Sequence, residues 1–237
     1  MPILAIETST SWCSVAILFP NGQSFYKHGE LGALTSQNLL LWVSKLLEEA
    51  QINLSELSSF AVSIGPGAFT GIRLGVSVSQ GLAFALKKPL ISVVSLDGFA
   101  KYAYKNNLIE IKDDEKLLVL MDARMNQVYY SSYQYNKKLD QLIPIGSPQL
   151  ADIKTLSQLA ITKILGYHID EYAIDLKTSG IDTWYSLEPH ALGVALLAKE
   201  SKVCIEKLDP KLCMPIYIRD KVAETTKERL ASKLAKI

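Results

Sequence analysis

Ile3-Leu4-Ala5-Ile6-Glu7-Thr8-Ser9-Thr10, followed shortly by Ser14-Val15-Ala16-Ile17-Leu18-Phe19, decides how the chain folds. Two short apolar runs flank a polar turn that carries one carboxylate, which predicts strand, turn, strand. Pro20-Asn21-Gly22 closes a hairpin, and Ser24 to His28 supplies a third strand. Downstream, Thr35 or Ser36 is expected to cap a helix reaching about Gln51. Phe60 to Ile64 reads as a short buried strand. It ends at Gly65-Pro66-Gly67-Ala68-Phe69-Thr70-Gly71, which opens a second helix to about Lys87. Pro89 to Val94 is another strand and Leu96 to Lys105 a third helix. A three-strand meander followed by helix–strand units predicts a mixed sheet with helices on its faces.

The polar stretch Lys105 to Lys116 marks a boundary. Beyond it, Leu117-Leu118-Val119-Leu120-Met121, Asp122-Ala123-Arg124-Met125-Asn126 and Gln127 to Tyr135 repeat the opening design with almost no sequence identity. Further elements are a helix at about Asp152 to Gln158, a strand near Lys163 to Leu165, a helix from about Pro189 to Ser201 and a strand near Pro215 to Ile218. The expected architecture is α/β with two lobes related by duplication, residues 1–106 and residues 107–237, the second ending in a charged tail.

The 237 residues carry 25 Lys+Arg against 24 Asp+Glu, a net charge of +1. A protein that grips nucleic acid by itself usually shows a basic surplus, because affinity comes largely from neutralised phosphates. Here the densest positive stretch, Lys221 to Lys236, is interrupted by Glu224 and Glu228. Cys13, Cys204 and Cys213 form no CxxC pair, and His28, His168 and His190 have no HExxH or HxxxH spacing, so neither a disulfide framework nor a metal site is expected. Met1 to Phe19 lacks a basic n-region and carries Glu7, unlike a signal peptide. No run of about 18 apolar residues offers a membrane span. A cytoplasmic protein without membrane contact is expected.

Two loops are suited to anions. At Glu7, Thr8, Ser9 and Thr10, backbone amides and hydroxyls could face a phosphate while the carboxylate holds a metal's water shell. The same four residues also read as an ordinary hairpin. The Gly65 to Gly71 loop leads into helix amides suited to an anion, though it equally reads as a tight turn with Thr70 as N-cap. No Gly-Lys-Ser/Thr follows it, so it is not a P-loop. Arg73, one turn inside, either meets an anion or points to solvent.

Both N-terminal helices carry apolar residues beyond one core face. On the first, Leu39, Leu40, Val43, Leu46, Leu47 and Ala50 make the core stripe, while Leu41 falls opposite and Trp42 at the edge. The second is apolar almost all round: Ile72, Leu74, Val76, Val78, Leu82, Phe84 and Leu86. Gly71, Gly75 and Ser79 recur every four residues, a spacing that lets another helix approach closely. Burial and a partner interface both account for this pattern. No G-x-S-x-G elbow, histidine pair or Gly-x-Gly-x-x-Gly is present.

Ile-Glu-Thr-Ser-Thr at 6–10, Ser36-Gln37, Gly-Pro-Gly-Ala-Phe-Thr-Gly-Ile-Arg-Leu-Gly at 65–75, Gln80-Gly81-Leu82-Ala83, Asp122-Ala123-Arg124 and Pro215-Ile216-Tyr217-Ile218-Arg219 together resemble the bacterial TsaB (YeaZ) family. The likeness is dense over residues 3–100 and patchy beyond. It implies two tandem RNase H-like lobes of the actin/hexokinase-type ATPase fold, with mixed sheets flanked by helices. It also implies a role in forming threonylcarbamoyladenosine beside the anticodon of tRNAs reading codons that begin with A. There the paralogue TsaD transfers the threonylcarbamoyl group, TsaB is its heterodimer partner, and the ATPase TsaE joins the assembly.

Comparison with the TsaD pattern indicates which subunit this chain resembles. Ser95 and Phe99 stand where TsaD-like sequences place a metal-binding HxxxH pair. Asp122 to Asn126 replaces a glycine-rich second phosphate loop, and Gly166, Gly180 and Gly193 are isolated rather than paired for adenine. A non-catalytic subunit follows, with no metal and no required cofactor; weak ATP or ADP binding at the vestigial Glu7 to Thr10 loop stays open. Its expected partner interface comprises Leu41, Trp42, Lys45, Gly71, Gly75, Val78, Ser79, Leu82 and Leu86. The partner TsaD and TsaE would hold tRNA, making this chain's contact with it indirect. A homodimer through the same helices is the alternative when the partner is absent. The rival functions are an active small-molecule kinase or ATPase of the same fold and, weakest, a metalloprotease. Thr35 stands where many relatives have histidine.

Overall fold

Near-continuous apolar runs bury both faces of the first sheet's central strands, so helices are needed on each side. β1 (Ile3–Glu7), β2 (Trp12–Leu18) and β3 (Ser24–Glu30) form an antiparallel meander with Ile3 opposite Leu18 and Glu7 opposite Ser14. After α1 (Thr35–Glu49), β4 (Ser59–Ser63) joins β1 in parallel; after α2 (Phe69–Ala85), β5 (Leu90–Val93) joins β4 in parallel. α3 (Ser95–Lys105) leads to the second half. The computed structural model describes residues 1–113, 115–158, 163–178, 180–181, 183–201 and 208–219. Cys204 and the charged tail from Lys221 to Lys236 lie outside the described residues.

The second sheet repeats the first. β6 (Lys116–Asp122), β7 (Gln127–Asn136) and β8 (Gln141–Asp152) form the meander, and β9 (Lys163–Tyr167) and β10 (Tyr185–Ser186) add in parallel beside β6. The orders are β3-β2-β1-β4-β5 and β8-β7-β6-β9-β10, the same topology twice. The connecting helices are reduced: residues 153–158 form a 3₁₀ helix where an α-helix was expected, and α4 (Ala173–Thr178) is short. β8, α4 and β10 have no counterpart in the sequence reading. Pro144, Gly146 and Pro148 interrupt the alternation of β8, which is why its pattern does not announce a strand.

Leu4, Ile6, Val15, Ile17, Phe60 and Val62 face α1 and α2, while Ile3, Ala5, Ala16, Leu18 and Ala61 face α5 (Ala191–Glu200). α3 instead covers the second sheet, packing Leu96, Phe99, Ala100 and Ala103 on Leu117, Val119 and Met121. Each sheet is thus covered by the helix that follows the other, and packing crosses the 106/107 boundary. α3 and α5 meet where a Cβ on Gly193 would lie 2.0 Å from the Gly98 carbonyl oxygen, so only glycine permits the approach.

His28 and His190, far apart in sequence, pack with ring centroids 4.5 Å apart at a tilt of 34°, and Tyr102 stacks on His190 at 4.3 Å. Burial pushes His28 down to about 4 and His190 down to about 3, so both are neutral at pH 7. Neutral His190 accepts the Leu192 amide through Nδ1 at 3.0 Å and so caps α5. Neither Thr35 nor Thr70 caps a helix: α1 and α2 start after Leu34 and Ala68, and the Thr35 hydroxyl donates to the Gly32 carbonyl at 2.9 Å. Residues 215–218 form no strand; one backbone bond, from the Ile216 amide to the Ile64 carbonyl at 2.8 Å, ties them to the residue after β4.

Candidate functional site

The loop after β1 is sealed. Glu7, Thr8 and Ser9 are each 1% exposed, beneath the start of α2. The Ser9 amide donates to Glu7 Oε1 at 2.6 Å, and the Ser9 carbonyl accepts the Ala68 amide at 2.6 Å. The Thr8 hydroxyl donates to the Gly71 carbonyl at 2.8 Å. A Cβ on Gly67 would lie 2.2 Å from the Ser9 carbonyl oxygen, and one on Gly71 would lie 2.0 Å from that of Thr8. The glycines of the 65–71 loop therefore let the chain close over residues 8 and 9. Of the groups that could cradle a phosphate, the Thr8 hydroxyl bonds to α2, the Ser9 amide bonds to Glu7 and the Thr10 hydroxyl accepts the Trp12 amide at 3.1 Å.

Burial raises the Glu7 carboxyl above the ordinary carboxylate range, and the bonds from Ser9 only partly oppose this. Glu7 Oε2 and the hydroxyls of Ser9 and Ser63 are buried without a partner in hydrogen-bond geometry. Asp122 at the end of β6 repeats the motif: its Oδ1 accepts the Arg124 amide at 2.8 Å, as Glu7 accepts that of Ser9. Arg124, Met125 and Asn126 then adopt φ of 62°, 57° and 58°. This is glycine-type backbone carrying side chains, in the turn where a phosphate loop would need glycines.

Ser95 and Phe99 both belong to the interior. The Ser95 hydroxyl accepts the Gly65 amide at 3.1 Å and its own amide donates to the Gly65 carbonyl at 2.9 Å, while Phe99 is fully buried. Among the described residues no group of three His, Cys, Asp or Glu side chains is placed to hold a metal.

The outer face of the two N-terminal helices is the second feature. Leu41 is 57% exposed and Lys45 also faces solvent. Trp42, Val78, Leu82 and Leu86 are half-buried against the first core, and Trp42 approaches Gly29. Gly75 and Ser79 are buried, which corrects the expectation that the small-residue stripe receives another helix: a Cβ on Gly75 would lie 2.4 Å from Thr8 Oγ1. The stripe admits the chain's own first loop. Leu40, expected in the core, is 54% exposed, and Leu34 and Phe84 join it at the surface. At 100° per residue, Leu40 sits on the edge of the stripe, where periodicity alone does not choose a side.

Residues 33–183 match the family profile described as TsaD: tRNA N6-adenosine threonylcarbamoyltransferase. The chain is 36% identical over 135 residues to the tRNA threonylcarbamoyladenosine biosynthesis protein TsaB of Escherichia coli and 34% identical over 132 residues to that of Haemophilus influenzae. These alignments cover 56% and 55% of this chain and 55% and 53% of the relatives, so the chain spans about half the length of these two relatives. Among solved structures, YeaZ from Pseudomonas aeruginosa superposes with a TM-score of 0.72 at 30% identity, covering 91% of this chain and 99% of that one. A Pseudomonas aeruginosa protein described by its similarity to peptidase YeaZ reaches 0.76 at 30% identity, covering 92% and 99%.

Proposed function

The chain belongs to the TsaB (YeaZ) family, and we propose that it is a cytoplasmic, non-catalytic partner of a TsaD-type transferase in tRNA threonylcarbamoyladenosine formation. The observation that carries the non-catalytic role is the sealed loop: Thr8 and Ser9 are each 1% exposed and bonded to α2. A phosphate at that loop would have to displace α2 from bonds that its glycines are shaped to make. Ser95 and Phe99, committed to the core, leave no ligand pair at the start of α3. The exposed leucines of α1, which a monomer gains nothing by displaying, supply a docking face for the transferase. TsaE would join this pair without contributing to that face.

Titration of the chain with MgATP in a calorimeter tests the non-catalytic role. No saturable heat is expected below about 1 mM, the range of a few kcal/mol of binding energy. Micromolar affinity would instead support the kinase or ATPase of the same fold.

A further inference from the structure

The chain has four arginines, Arg73, Arg124, Arg219 and Arg229. The three that are described are linked by contacts through residues 217–219, although they come from α2, the β6–β7 turn and the segment after residue 208. The Arg73 guanidinium lies 3.7 Å from the centroid of the Phe69 ring and 5.5 Å from that of Tyr217, and its Nε donates to the Tyr217 hydroxyl at 2.8 Å. Two residues along, Arg219 Nη2 donates to Gln127 Oε1 at 2.6 Å and reaches the Arg124 carbonyl at 3.5 Å, with Nη1 3.8 Å from Met125 Sδ. Arg124 itself is exposed at the tip of the strained turn.

Every anchor in this group is neutral: two rings, a hydroxyl, an amide oxygen, a carbonyl and a thioether. Five lysines, Lys27, Lys101, Lys105, Lys154 and Lys163, do pair with carboxylates, those of Glu49, Glu200, Asp140, Asp175 and Glu115. No arginine forms an ion pair among the described residues. Asp122, the carboxylate nearest Arg124 in sequence, accepts the Arg124 amide and the Tyr172 hydroxyl through Oδ1, and Asp220, next to Arg219, lies outside the described residues. A guanidinium stacked on a ring and held through Nε keeps its two terminal amino groups for a forked bond to an anion. Phe69 and Tyr217 remain 41% and 51% exposed beside those donors. Arginines interleaved with exposed rings match the needs of a nucleic-acid strand, which offers phosphates and stacking faces together.

We propose that Arg73, Arg124 and Arg219, with Phe69 and Tyr217, form a contact for the phosphodiester backbone of RNA. The choice of RNA over an acidic peptide rests on the function proposed above; the grouping of arginines that form no ion pair among the described residues does not. Three arginines suit an auxiliary contact, in keeping with a chain whose net charge is only +1.

The test is fluorescence anisotropy of a labelled single-stranded RNA of about 15 nucleotides, titrated with the full chain across a salt series. With about 0.7 counterions released per contact on a single strand, the log–log salt slope is expected near −2. Arg124→Gln with Arg219→Gln should bring it to about −0.7 and weaken binding about tenfold at low salt, each lost phosphate contact lowering slope and affinity together. Arg219→Lys should keep the slope while losing affinity, since the charge persists but the paired bonds to Gln127 and the Arg124 carbonyl that orient it do not. Equal slopes for the wild type and the double variant, or no RNA binding at the lowest salt, would overturn the proposal. So would a polyglutamate peptide that binds in an arginine-dependent way where RNA does not. Gel filtration of the same variants with the transferase separates the two ideas. Retained co-elution with unchanged RNA behaviour defeats only the RNA contact, and lost wild-type co-elution with intact RNA binding defeats only the partner role.

Discussion

Gly71→Ala is expected to lower the melting temperature by about 2–12 °C, whereas Gly81→Ala on the same helix should raise it slightly. The Gly71 Cβ would fall 2.0 Å from the Thr8 carbonyl oxygen, a backbone atom with no rotamer to escape into. Relief requires α2 to move off the first loop, which weakens the Thr8 hydroxyl bond to the Gly71 carbonyl. Forced overpacking of this kind costs about 1–3 kcal/mol or more, and each kcal/mol shifts the midpoint by about 2–4 °C in a chain of this size. Gly75→Ala meets Thr8 Oγ1 at 2.4 Å and should behave similarly. Gly81 has nothing within 4 Å of its Cβ position, so alanine there adds about 0.5–1 kcal/mol of helix propensity without a clash. Differential scanning fluorimetry of the three variants decides the matter. Unchanged melting of Gly71→Ala with loss of partner binding would return the glycine stripe to the interface.

Leu41→Asp should do the reverse, leaving the fold intact and removing the partner. Leu41 is 57% exposed on α1, away from the buried Leu39, Val43 and Leu46. A charge there costs the monomer almost nothing, since substitutions at exposed positions rarely exceed about 0.5 kcal/mol. In an interface the same carboxylate would be desolvated within an apolar patch. The loss of at least about 2 kcal/mol typical of a central contact weakens association about 30-fold or more. Titration of the variant with the transferase, beside its melting curve, gives both numbers. Trp42 is a poorer probe because its ring also packs on the first core near Gly29, so its replacement would mix folding with association.

These two positions also mark how far the sequence alone could be read. The meander after Ile3, its repeat after Leu117 and the helices between the early strands follow from apolar runs and turn residues, and the structure forms them. Periodicity failed where packing chose the side. Leu40 lay on the border of the core stripe, and Gly71 and Gly75 pointed at the chain's own loop because β1 and α2 converge, a long-range fact that no helical spacing contains. The sealed first loop has the same origin: Glu7 to Thr10 looks like a phosphate loop in one dimension and is a packed contact in three. His28 packing against His190, and three arginines linked from distant segments, are likewise products of topology. β8 was hidden by its own prolines and glycine.

The most direct measurement is reconstituted threonylcarbamoyl transfer to tRNA by the TsaD-type protein of the same organism, with and without this chain. Transfer should be absent or slight with the transferase and TsaE-type ATPase alone, appear when this chain is added, and be absent for this chain by itself. Full transfer without the chain, or transfer catalysed by the chain alone, would contradict a non-catalytic partner.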